Sequence, residues 1–294
     1  MQAIVLQLFL TQYLTNSMKK FIIIIAALCC SLSASAWSRH IHAGIAAIAE
    51  DNLTEEAKRS ITELLDGKSI VYYAQHIYDY ADNEAYKHTK VWRNIAFTDK
   101  NKILSAKKAA KHEHKAISSA QAYEGLVSSL KALQSGKLTK EQTCDNMLYV
   151  ITILSDLHCP THYVFTDLLE KRKSYYHYND KKHSYMGYWE SNSIRGTFNW
   201  KTNEFVHQLS RKTPEQVVQI TKGSVTDWIT GNAPLYRSVY DLLDTGTRFD
   251  GKSLRLWQNK IYPISTEQVA VACYRIAAVL NSLFDTNAPQ VKIK

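Results

Sequence analysis

Apolar positions along this chain recur at helical spacing, and there is no run of short alternating segments divided by turn residues. Two stretches are apolar on nearly every side. One runs from about Thr139 to Leu157 through Met147, Leu148, Val150, Ile151, Ile153 and Leu154; the other runs from about Ser265 to Phe284 through Val269, Val271, Cys273, Ile276, Val279, Leu280 and Leu283. Helices of that kind belong in the middle of a bundle. From Ala106 to Leu133, lysine, histidine and alanine alternate with a single stripe of Ile117, Leu126, Leu130 and Leu133, which predicts a surface helix. Three capping boxes mark helix starts: Thr139 with Gln142, Thr213 with Gln216, and Ser265 with Gln268. Pro214 falls where the first helical residue of the second would be. Residues Glu170 to Lys182 read as a polar loop carrying a tyrosine cluster. With five prolines, ten glycines, no internal repeat and no linker, the pattern predicts one all-α domain.

The N-terminus changes the boundaries. Residues 1–36 carry Lys19 and Lys20, the run Phe21 to Cys30, Ala34-Ser35-Ala36 and no acidic residue. That is the order of a secretory signal peptide, and the apolar run is shorter than the roughly 20 residues of a spanning helix. Cleavage after Ala36 would leave 258 of the 294 residues, with Trp37 first, as the helical domain 37–294, in a secreted or periplasmic protein. The net charge of +9 would fall to +7, a surplus that favours polyanionic partners without defining a fold. Only Cys144, Cys159 and Cys273 would remain, which allows at most one intrachain disulfide.

Four places carry candidate chemistry. Asp156 ends the first apolar helix, Pro160 stops it, and His162 follows six residues after the aspartate. A carboxylate in such surroundings is costly unless paired or metal-bound. A free α-amine at Trp37 and its own carbonyl would form a five-membered chelate, to which His42 can add an imidazole; zinc takes such ligands at about 2.0 to 2.2 Å. Asp82, in Tyr80-Ala81-Asp82, has no evident capping role, and Glu190 follows Trp189. Taken singly, each has an ordinary structural explanation as a cap, a solvated acid or a surface glutamate.

Taken in order, they resemble the secreted single-strand-specific nucleases that hold three zinc ions, nucleases S-one and P-one, and more distantly zinc phospholipase C. The resemblance covers nearly all of residues 37 to 294. That family opens its mature chain with Trp and has a His five residues on, as with Trp37 and His42. It has Trp-Ala-Asp followed by a second Trp, echoed by Asp82 and Trp92, and an aspartate, proline and histidine spaced as Asp156, Pro160 and His162. Its His-x-x-Trp-Asp is matched only in part by Trp189-Glu190, and Arg275-Ile276-Ala277 looks like its closing helix. The resemblance implies zinc ligands among Trp37, His42, Asp82, Asp156, His162 and Glu190, with Asp82 also cast as catalytic.

Three family histidines are missing: Ala96, Thr152 and Met186 stand at their positions. Counted by site, the resemblance leaves the first metal with Asp82 and Asp156, a carboxylate pair better suited to magnesium or calcium. It leaves the second with His162 and Glu190, and keeps the third whole as Trp37, His42 and Asp156. His40, His76, His88, His158, His177 and His183 lie in or beside the motifs and are candidates to rebuild a site. The expected function is that of a metal-dependent phosphodiesterase cutting single-stranded DNA or RNA to 5′-phosphates, with tyrosines stacking unpaired bases. The alternatives are a phospholipase C-like hydrolase acting on a phospholipid head group, and a non-catalytic descendant that binds through the old cleft.

Overall fold

In the computed structural model, which describes residues 37–194 and 200–294, the long apolar runs are helices surrounded by shorter ones. The expected export segment, residues 1–36, lies outside the described residues. The α-helices of eight residues or more among the described residues are α1 (Arg39–Asp51), α2 (Glu55–Leu64), α3 (Ala122–Gln134), α4 (Lys140–Asp156), α5 (Thr202–Leu209), α6 (Pro214–Thr221), α7 (Val225–Ser238) and α8 (Gly251–Phe284). No helix among the described residues is long and apolar enough to cross a membrane.

The centre is formed by α4, α8 and α1. Thr139 caps α4 in a reciprocal box with Gln142, and every residue from Met147 to Asp156 is buried. The helix packs against α3 on one side and α8 on another, so its all-round apolarity is used. Helix α1 packs on α8 and α5. Gly44 permits the second contact, because a Cβ there would meet Cδ1 of Phe205 at 2.3 Å.

Three local expectations are corrected. The predicted surface helix from Ala106 to Leu133 is broken into turns at Ala106–Ala109 and Lys115–Ser118 before α3 begins. Its lysine-rich first half has no continuous apolar stripe to bury, and the His114 side chain accepts from the Ala116 amide to restart the chain. Helix α8 starts at Gly251 instead of Ser265, capped by Asp250 and Ser253. It runs through Pro263, and Ser265 Oγ turns back to the Ile261 carbonyl. Buried Trp257 and Ile261 hold that first half in place despite the proline. Lastly, the tyrosine-rich segment expected as a loop is a hairpin of β3 (Tyr175–Tyr178) with β4 (Lys181–Ser184). Asn179 and Asp180, at φ 49° and 57°, make its two-residue turn. A short parallel pair, β1 (Ile95–Phe97) with β2 (Tyr163–Phe165), and a strand β5 (Thr247–Arg248) beside β3 complete the sheets. The fold is mainly helical, as the pattern predicts, with strands confined to these small sheets.

Candidate functional site

The end of α4 is where the predicted residues meet. Trp37 is fully buried just ahead of α1, and its indole Nε1 donates to the Ser155 carbonyl at 3.1 Å, joining the start of α1 to the last turn of α4. The Ser38 amide donates to the Glu190 carbonyl at 2.7 Å, bringing in the Tyr188–Asn192 segment. One turn into α1, His42 faces Asp156, with Nε2 3.2 Å from Oδ1 and both side chains wholly buried. After α4, Pro160–His162 forms a tight turn that places His162 beside the same aspartate, whose charge pulls against the effect of burial on the imidazole.

The polar accounting here is incomplete in an informative way. Asp156 Oδ2 accepts from the Tyr78 hydroxyl at 2.8 Å, but Oδ1 and both ring nitrogens of His42 have no hydrogen-bond partner. His42 Nε2 and Asp156 Oδ1 face each other without a well-directed hydrogen bond, and a buried polar atom left without one costs about 1 to 3 kcal/mol. Their 3.2 Å separation is close to the ligand-to-ligand spacing, about 3.3 Å, of a tetrahedral ion with bonds near 2.0 Å. The Trp37 carbonyl accepts from Gln75 Nε2 at 3.3 Å, and a carbonyl oxygen has a second lone pair to offer. Imidazole, carboxylate and main-chain oxygen are a donor set that fits zinc. Among the described residues no group of three or more His, Cys, Asp or Glu side chains is arranged to hold a metal ion; at this corner the remaining donors would be main-chain atoms.

Glu190 and His162 border the same corner. Burial pushes the Glu190 carboxyl up to about 8, against the opposing pull of the Arg172 guanidinium and with the help of the nearby Asp156 charge. His162 is driven down by burial, which favours the neutral imidazole, and its Nδ1 donates to the Arg93 carbonyl. Glu190, which reads from the sequence as a surface residue, is thus half-buried next to a second carboxylate.

Asp82 does not join them. It lies on a turn, its side chain is fully exposed, and it pairs with Lys90 at 3.0 Å, whereas Asp156 is wholly buried. Behind it is a nest of rings: His76 packs against Tyr80, Tyr86 and Tyr149 with centroids 4.8 to 5.8 Å apart, and His88 and Trp92 extend the nest. The ring nitrogens of His76 also lack a hydrogen bond, but Asp145, 3.4 Å away, already accepts from the Tyr86 hydroxyl.

The positions of the missing histidines are occupied by residues with other uses. Ala96 packs in a small apolar cluster with Ala109, Ile117 and Val164, Thr152 Oγ1 donates to the Leu148 carbonyl, and Met186 leans on the core. The candidate substitutes are dispersed. His40 bonds the Trp200 carbonyl, His158 meets Arg275, and His177 and His183 lie on the hairpin. Cys144, Cys159 and Cys273 are free thiols, so the one disulfide the sequence allows is absent among the described residues.

Sequence reasoning overlooked two residues at this corner, Tyr78 and Arg93. No spacing marks them, because Tyr78 enters the site through the packing of the His76–Asp79 turn on α4, and Arg93 through its contacts with Tyr78 and His162.

The family model described as S1/P1 Nuclease matches residues 37–285, from the tryptophan of this corner to the end of α8. No curated protein matches the chain. Mainly helical architecture and a match over most of its length lead to one conclusion: the chain belongs to the S1/P1 nuclease family.

Proposed function

We propose that this chain is an exported, metal-dependent phosphodiesterase that hydrolyses single-stranded nucleic acid to 5′-phosphates, with zinc held by Trp37, His42 and Asp156. The supporting observation is the buried, unpaired trio of His42 nitrogens and Asp156 Oδ1 beside Trp37. Export belongs to the proposal, since only cleavage before Trp37 would free the α-amine that completes the donor set.

When bound, the ion would supply Lewis acidity and a hydroxide nucleophile near neutral pH. The residues of the chain do the rest. Tyr78 fixes one oxygen of Asp156 through its hydroxyl and leaves the other directed at His42. His162, oriented by the Arg93 carbonyl, presents a neutral imidazole to the same space. Glu190, with its carboxyl near 8, is poised to take or give a proton around neutral pH, as a general acid or base needs. Asp82 has no part in this reading.

The test is metal analysis of protein carrying Trp37 as its first residue, together with digestion of single-stranded DNA and RNA. About one zinc per chain and zinc-dependent cutting are expected. Less than one zinc and no cutting with added zinc would leave a family member that binds without catalysis.

A further inference from the structure

Two arginines border the Asp156 corner, and they are used differently. Arg172 Nη1 is committed: it donates to the Thr161 carbonyl at 2.7 Å, the Tyr163 carbonyl at 3.4 Å and the Tyr240 hydroxyl at 3.0 Å. Arg93 is not. Its Nε is buried without a partner, and among the described residues its guanidinium has no ion pair. A buried N–H donor with no acceptor is uncommon enough to require an explanation.

The position of Arg93 supplies one. Its guanidinium lies over the Tyr78 ring, with Cζ 4.4 Å from the centroid. The same tyrosine donates to Asp156 Oδ2 and packs against the His42 ring, with centroids 5.9 Å apart. The Arg93 main chain is tied in as well, through the carbonyl that accepts from His162 Nδ1. Arg93 is therefore held by both its backbone and its side chain to residues of the candidate centre. A guanidinium held over a ring can leave its terminal N–H groups available, and two such N–H groups match two oxygens of a phosphate. The hydroxyl of the ring beneath is occupied by Asp156, so the stack is fixed before any ligand arrives.

We propose that Arg93 is a phosphodiester-binding residue: its guanidinium, presented on the Tyr78 ring, holds a backbone phosphate of single-stranded nucleic acid next to Asp156 and His42. The proposal rests on the phosphodiesterase reading above, but its binding step requires no metal. It assigns to a fixed side-chain cation part of the phosphate contact, at a corner where the buried Asp156 carboxylate would otherwise repel the ligand.

The experiment is fluorescence anisotropy of a labelled twelve-residue oligothymidylate titrated with the whole processed chain in excess chelator. Nothing is cut under these conditions, and binding is read alone. Arg93→Gln keeps the main-chain carbonyl that orients His162, and it should weaken binding about tenfold or more, as expected for loss of a charge-assisted bidentate contact. It should also lower the slope of log affinity against log salt by about 0.7, the value for one single-strand phosphate. Arg93→Lys, which keeps the charge and the stem, should recover only part of the loss. Arg211→Gln, on an exposed arginine bonded to the His207 carbonyl, is the control and should change nothing. Melting curves identify any misfolded variant, and if Arg93→Gln melts early, the lysine variant and its salt slope decide. Equal affinity and equal slope for both Arg93 variants overturn the assignment while leaving the nuclease reading standing. A wild-type chain that binds no oligothymidylate in chelator also overturns the assignment, whereas the nuclease reading is overturned only by the absence of zinc-dependent cutting.

Discussion

The Trp37 corner and the Asp82 turn resemble each other as sequence motifs and differ as physical environments. At the first, a carboxylate and an imidazole face each other sealed from water, with three polar atoms lacking a hydrogen bond. At the second, the carboxylate stands in solvent, paired with a lysine that is itself nearly half exposed. An exposed ion pair of that kind contributes about 0 to 1 kcal/mol and demands nothing further. Unpaired buried groups impose a continuing cost that a ligand can relieve. The difference teaches that burial without satisfaction, more than the presence of an acidic residue in the right order, marks where a centre can form. Between the two regions the chain has placed packed rings, which stabilise the fold and offer no oxygen donor beyond the tyrosine hydroxyls.

Matched substitutions separate the two aspartates most directly. Asp156→Asn should lower both zinc content and single-strand cutting by more than about 100-fold, beyond the 10- to 100-fold typical of an outer partner. Asp82→Asn should leave both within about twofold, since its side chain is exposed and, among the described residues, pairs with Lys90. Equal losses from the two variants, read by metal analysis and initial rates, would put the aspartates back in one site.

A peptide extension before Trp37 comes next in size. It blocks the α-amine and disturbs no side-chain contact, so zinc affinity should fall about tenfold or more while the melting temperature of the chelated protein stays the same. Unchanged affinity would show that the main-chain amine takes no part.

Tyr78→Phe removes the hydroxyl that positions Asp156, and zinc affinity should fall about tenfold. If affinity holds, Asp156 is fixed by packing alone.

Glu190 gives the pH test, in chelated protein. Its folded carboxyl lies near 8, above the ordinary value of 4.5, so the fold favours the protonated form. That contribution is complete below about 4.5 and is lost as pH rises toward about 8, so denaturant midpoints should fall across this window. Glu190→Gln should flatten the slope, and an unchanged pH profile would mean that the carboxyl titrates as it does in water.

The smallest effect is expected in the aromatic nest. His76→Phe replaces one ring with another among Tyr80, Tyr86 and Tyr149, and both metal content and cutting should stay within about twofold. A large loss of bound metal would make that region a second centre and erase the contrast.

Much of this was legible in the residues. The capping boxes at Thr139 and Thr213 appear with both reciprocal bonds formed, because capping is decided within four residues of chain. The apolar run before Asp156 is buried as its pattern predicts. The start of α8 was not legible. Pro263 reads locally as a stop, and only the burial of Trp257 and Ile261 against the rest of the fold overrides it. The hairpin at Tyr175–Ser184 was hidden for a similar reason, since Tyr176 finds its burial on Trp257, far along the chain.

By itself, the sequence determined the helical class, the two central helices and the order of Trp37, His42, Asp156, His162 and Glu190, since periodicity, caps and motif spacing are properties of the chain. Tertiary structure alone decided that Glu190 is held near protonation, that Asp82 stays in water, and that Arg93, lying over the Tyr78 ring, has a buried Nε without a hydrogen bond among the described residues. Those outcomes depend on desolvation and on contacts between residues distant in sequence, and neither is set by the identity of a residue or its neighbours.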